Sequence, residues 1–179
     1  MQTINLKRSS IFFLAGLSLA LIINACTPPQ SAESQIRAKS IASGPFFSGP
    51  NSLIAEQVVN YAQLVDGQSL TAEQLKSVKL KSVAVSLRTI DSIVFSYFDD
   101  ASLSIVGSDI EMMSVATLNP IDSDGQSVDL GVSEEAELVD YFKAGNYSLV
   151  LDLGLNEDLY LNELGATIDI TLNVEYKEQ

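Results

Sequence analysis

The segment "TIDITLNVEY", residues 167–176, alternates without a break. Ile168, Ile170, Leu172, Val174 and Tyr176 fall in one phase, and Thr167, Asp169, Thr171, Asn173 and Glu175 in the other. Successive side chains of a strand point to opposite faces, so this pattern requires a strand with one dry and one wet face. A slip of one residue would turn all five apolar side chains into water, which pins the register. The same logic extends upstream. Val83, Val85 and Leu87 alternate, as do Val128, Leu130 and Val132 in "SVDLGV" (127–132). "NYSLVLDLGL" (146–155) places Tyr147, Leu149, Leu151, Leu153 and Leu155 on one face. "SIVFSYF" (92–98), "SLSIVG" (102–107) and "IEMMSVATL" (110–118) add shorter strands, the last with a bulge expected at the Met pair.

About seven short antiparallel strands predict a mainly β domain over residues 76–179. The expected architecture is a two-layer β-sandwich of Ig-like or related Greek-key type. One crossover helix is expected after Val132. Ser133 would cap it, Glu134 and Glu135 suit its positive N-terminus, and Gly145 follows Lys143 as its stop. A helical segment is expected over 52–75, packed on the domain. Within it Ile54, Val58, Tyr61, Ala62 and Val65 share a face at helical spacing, and Asp66-Gly67 closes it. "TAEQ" (71–74) has capping-box form.

The N-terminus carries a different message. Residues 1–10 hold Lys7 and Arg8 and no acid, and "IFFLAGLSLALII" (11–23) has no charge. Thirteen residues are short for a spanning helix, which needs about 20, and suit a signal-peptide core. Ile23, Asn24, Ala25 and Cys26 follow, and Cys26 is the sole cysteine. This stretch resembles the lipobox of bacterial lipoproteins, with Ile23 as the aliphatic residue and Ala25 as the small one. The resemblance covers residues 1–26. It implies a signal peptide over 1–25, cleavage between Ala25 and Cys26, and acylation of Cys26. Several acyl chains anchor stably where one does not. Thr27 follows the cysteine, where enterobacterial lipoproteins retained at the inner membrane carry Asp, so an outer-membrane address is expected by analogy. Residues 26–51, rich in Pro, Ser, Gly and Ala, read as a lipidated flexible tether. Phe46 and Phe47 stand out in it as residues that dock on the domain.

Residues 137–174 also resemble small sandwich-domain lipoproteins common in Bacteroidetes. The matching stretches are "ELVDYFKAGNYSLVLDL" and "TIDITLNV". That resemblance implies a fold and no activity.

Composition excludes chemistry. The chain has no His and no Trp. Imidazole triads and histidine metal sites are therefore impossible, and one cysteine makes neither an internal disulfide nor a thiolate zinc cage. No cofactor is expected. The net charge is −13, and residues 89–179 hold 19 acids against Lys143 and Lys177. Such a domain repels nucleic acid. The expected partners are the lipid bilayer, through acylated Cys26, and an envelope protein or glycan. The function expected is a non-catalytic binding or structural role at the bacterial cell envelope. Two alternatives stay open. One is a carboxylate-dependent glycan hydrolase, for which the adjacent Asp99 and Asp100 are candidates. The other is a calcium-stabilised adhesin-like domain using Asp122, Asp124, Asp129 and Glu134. "GLNEDLYLNELG" (154–165) reads as a solvated hairpin end, with a carbohydrate or partner contact built on Tyr160 and the nearby acids as its functional alternative.

Overall fold

The computed structural model describes residues 28–88 and 93–178. The expected signal peptide, Ala25 and Cys26 lie outside the described residues.

The chain is mainly β. Eight antiparallel strands form one sheet in the order β1-β8-β3-β6-β5-β4-β7-β2, curled into a near-barrel. They are β1 (Gln30–Ser43), β2 (Gly49–Val58), β3 (Leu75–Arg88), β4 (Phe98–Val106), β5 (Met113–Leu118), β6 (Ser127–Val132), β7 (Asn146–Leu155) and β8 (Glu163–Tyr176). A single short helix, α1 (Val139–Lys143), is described between β6 and β7.

The alternating segments behave as their pattern demands. Ile168, Ile170, Leu172, Val174 and Tyr176 are all buried, as are Tyr147, Leu149, Leu151, Leu153 and Leu155. β8 lies between β1 and β3 and pairs with both. β7 lies between β4 and β2, so Leu151 sits between Leu53 and Leu103. These inward phases make one core, to which Phe95, Phe98 and Phe142 add the bulk.

Several expectations are corrected. The residues read as a tether are largely strand, because β1 occupies 30–43 and pairs with β8 along its whole length. Its inward residues, Ser34, Ala38 and Ser40, are buried. They are small, which hid the alternation under linker-like composition. The helix expected over 52–65 is absent. Residues 49–58 are β2, with the buried Leu53 and Ala55 opposite Leu151 and Leu149 of β7. Ile54 and Val58, assigned to the buried face of that helix, are 59% and 82% exposed. Within 52–75 the helical geometry described is one 3-10 turn at Ala72–Gln74. There the capping box forms, with the Thr71 amide donating to Gln74 Oε1 at 2.8 Å.

The third correction concerns the crossover helix. It begins at Val139 rather than after Ser133. Gly145 ends it as expected, at φ +82°, a left-handed conformation that favours glycine. Glu134 and Glu135 are exposed ahead of it. Glu137 is the acid that matters to its start. Its carboxylate accepts from Ser77 Oγ (2.6 Å), the Val78 amide (2.7 Å) and the Val139 amide (3.2 Å). It thus ties the first turn of α1 to an irregular stretch of β3, whose register with β8 shifts between Leu75 and Ser77. "SIVFSYF" (92–98), expected as a strand, forms a 3-10 turn at Phe95–Tyr97 and enters β4 only at Phe98, and the β5 bulge also sits later than expected. Leu103 faces Ala116 while Ser104 faces Ser114, which leaves Val115 as the extra residue.

Candidate functional site

The strand directions give the near-barrel two poles. Gln30 of β1 and Leu75 of β3 both pair with Tyr176, so one pole holds the start of β1 and the end of β8. Ser43 pairs with Glu163 at the other end, and Gly49 with Leu155. A 14-residue strand runs roughly 45 Å. The loops 44–48, 119–126 and 156–162 therefore gather at the pole away from Gln30.

Two of those loops are stitched together. The Phe46 amide donates to the Leu159 carbonyl (3.0 Å), and the Leu159 amide donates back (2.8 Å). The Gly44 amide donates to Asn162 O (2.9 Å), and the Ser48 amide to Asp158 Oδ1 (2.8 Å). This short ladder sorts side chains by parity, as in a sheet. Phe46 and Leu159 turn inward and are buried, while Phe47 and Tyr160 are 58% and 80% exposed. Of the two phenylalanines expected to dock, only Phe46 does. Gly44 permits the contact, since a Cβ there would lie 2.0 Å from the Leu161 carbonyl oxygen.

The pole thus presents two exposed aromatic rings on a rigid, doubly hydrogen-bonded base. Asp158 is held by a backbone amide, and Glu157, Asp122 and Asp124 are exposed nearby in the same loop set. Aromatic faces with flanking hydrogen-bonding groups suit contact with a glycan or protein surface.

The acidic run 120–135 does not converge. β6 separates its ends, with Asp122 and Asp124 before the strand and Glu134 after it. The Gly125 amide donates to Ser123 Oγ (3.2 Å), a local turn bond. Among the described residues no group of three or more Asp, Glu, Cys or His side chains is placed to hold a metal ion. Asp99 is the extra residue where the register of β4 with β7 shifts between Phe98 and Asp100, so both acids lie outside the core between the buried Phe98 and Ala101, and Asp100 packs against Gly154 of β7.

Charge is also unevenly placed. Arg37, Lys39, Lys76, Lys79, Lys81 and Arg88 all lie on β1 and β3, flanking β8. Arg37 pairs with Asp169 at 2.5 Å, which raises the guanidinium pKa, and Lys81 pairs with Glu33. These exposed pairs offset charge more than they stabilise the fold.

At the opposite pole three tyrosines are buried enough to matter. Burial raises the pKa of Tyr147, and raises Tyr61 and Tyr141 as well, with Glu73 adding to the effect at Tyr61 and Glu111 at Tyr141. Tyr61 Oη donates to the Phe142 carbonyl (2.7 Å), and Tyr141 Oη to the Glu111 carbonyl (2.5 Å). Among the described residues no helix is long and apolar enough to cross a membrane.

No protein-family model matches the chain, and no curated protein matches it. Among solved structures, a chain of turnip yellow mosaic virus is similar over 83% of this chain and 94% of that one, at 11% identity and a TM-score of 0.28. A similarity at that score bears on neither fold nor function.

Proposed function

We propose that the protein is an envelope lipoprotein: a non-catalytic binding or structural module held at the outer membrane by acylated Cys26. The observation that carries this reading is the polarity of the near-barrel. β1 starts at Gln30, four residues after Cys26, and the exposed Phe47 and Tyr160 belong to the far pole. Four residue steps reach about 15 Å, so an acylated Cys26 would hold one pole against the bilayer. The far pole would then point away from it, roughly a strand length out.

Finer architecture belongs to the same proposal. The strands divide into β1-β8-β3-β6 and β5-β4-β7-β2, joined at β5–β6 by only two paired positions. We read these halves as two packed layers with Greek-key connections, of the jelly-roll kind. Such a frame leaves recognition to its end loops.

The test is detergent phase partitioning of the protein made with its own N-terminus, beside Cys26→Ser. The wild type should enter the detergent phase and the variant the aqueous phase. Equal partitioning of both would remove the anchor from the account.

A further inference from the structure

β1 and β2 are the two edges of the sheet and lie side by side. Ser40 Oγ donates to the Ile54 carbonyl oxygen (2.7 Å) and ties them together. Towards the Gln30 pole they part around a groove of about 160 Å³. Ser34 and Ile36 of β1 line one side, Gln57 of β2 and Gln63 the other, and Phe142 and Tyr147 line it from within. No charged side chain lines it, in a chain of net charge −13.

Ile36, Phe142 and Tyr147 also border an apolar cavity of about 10 Å³ inside the core, so they form the wall between core and groove. Tyr147 is 6% exposed and packs on Phe142 with ring centroids 5.1 Å apart. Among the described residues its hydroxyl has no hydrogen-bond partner, unlike those of Tyr61 and Tyr141. Every wholly enclosed side-chain nitrogen or oxygen described does have one. The Tyr147 hydroxyl is therefore not sealed in, and Tyr147 lines both this groove and a neighbouring cleft bordered by Glu56, Val106 and Ser148. A hydroxyl that bonds no described protein group is free to exchange water for a ligand atom.

The rim amides are pre-set. Asn60 Nδ2 donates to Gln63 Oε1 (2.8 Å), and Gln57 Nε2 donates to the Glu56 carbonyl (2.7 Å). This leaves Gln63 Nε2 and Tyr147 Oη to donate, and Asn60 Oδ1 and Gln57 Oε1 to accept. Donors and acceptors set together over an apolar wall match hydroxyl groups, each of which both donates and accepts, on a ring with an apolar face. The volume is below the roughly 300 Å³ at which drug-sized pockets begin, which limits the occupant to a single ring. The neutral lining selects against charged ligands. An extended peptide would need the length of the seam, which the Ser40–Ile54 bond closes.

We infer that the β1–β2 groove binds one ring of a neutral sugar, with the Tyr147 hydroxyl as a direct hydrogen-bonding partner. The inference stands whether or not Cys26 carries lipid.

The experiment is saturation-transfer NMR on the full chain in a non-glycosidic detergent. The probes are glucose, galactose, mannose and N-acetylglucosamine, with glucuronic acid and a short neutral blocked peptide as comparisons. At least one neutral sugar should receive saturation. Tyr147→Phe should weaken its binding about tenfold, the effect of one hydrogen bond, without lowering the thermal midpoint. Gln57→Ala, at the rim, should weaken it as well. Absence of transfer to every neutral sugar would overturn the inference. So would binding indifferent to both substitutions, or preferential binding of the peptide or the acid.

Discussion

Removing the Glu137 carboxylate should loosen one whole corner of the near-barrel. Its oxygens accept from Ser77 Oγ, the Val78 amide and the Val139 amide at 2.6, 2.7 and 3.2 Å. In addition, the Leu138 amide donates to the Val78 carbonyl (2.8 Å), so α1 and β3 are joined at adjacent residues. Hydrogen bonds to a charged group are worth about 1.5–3 kcal/mol each when buried, and this site is half-buried, which favours the low end. Glu137→Ala strands two backbone amides, one of them beside an irregular stretch of strand. A loss of about 2–4 kcal/mol follows. For a domain of this size that is a fall of about 5–15 °C in thermal midpoint. Glu137→Gln keeps acceptor oxygens but loses the charge, and should cost about half as much. Urea unfolding followed by far-UV circular dichroism measures both, with an unchanged m value expected. If both variants unfold within about 0.5 kcal/mol of the wild type, the carboxylate is not the tie described here.

Gly44→Ala should detach the paired loops at the far pole, because its Cβ would meet the Leu161 carbonyl oxygen. Amide exchange at Phe46 and Leu159 would rise sharply, while exchange in β8 stays slow. Leu151→Ala, in the middle of β7 and fully buried, should cost about 2–5 kcal/mol in the same urea assay. Tyr147 supplies a pH prediction. Burial raises its folded-state pKa above the ordinary 10.0, so the folded state retains a proton that the unfolded chain sheds. Stability owed to this group is fully present below pH 10.0 and is lost as pH rises above it, by up to about 1.4 kcal/mol per pH unit. A pH series of unfolding midpoints should show that fall, and Tyr147→Phe should make it shallower.

Much of the frame was legible in the sequence because hydrophobic alternation carries it. β6 and β7 begin and end where their patterns do, and β8 contains the 167–176 run. Two strands are hidden in the sequence, and both are sheet edges, while "SIVFSYF" (92–98) has a strand-like pattern but forms a 3-10 turn at Phe95–Tyr97 ahead of β4. β1 turns Ser34, Ala38 and Ser40 inward, and small side chains carry almost no hydropathy contrast. Small residues suit a seam where the β1 and β2 edges approach. β2 turns Ile54 and Val58 outward, and these exposed residues mimicked a helical face. The far pole was half legible. Tyr160 stood out among acids, but which of Phe46 and Phe47 is exposed depends on the pairing with Leu159, a contact 113 positions away in sequence. The groove left no local signal. Ser34, Gln57, Gln63 and Tyr147 come from four separate segments, and only closure of the sheet brings them together.

The most direct test of the account is the intact mass of the protein purified from a bacterial envelope after expression with its own N-terminus. The expected product begins at Cys26 and carries the added mass of a diacylglyceryl group and an amide-linked acyl chain. A mass that includes residues 1–25, or a chain beginning at an unmodified Cys26, would contradict it.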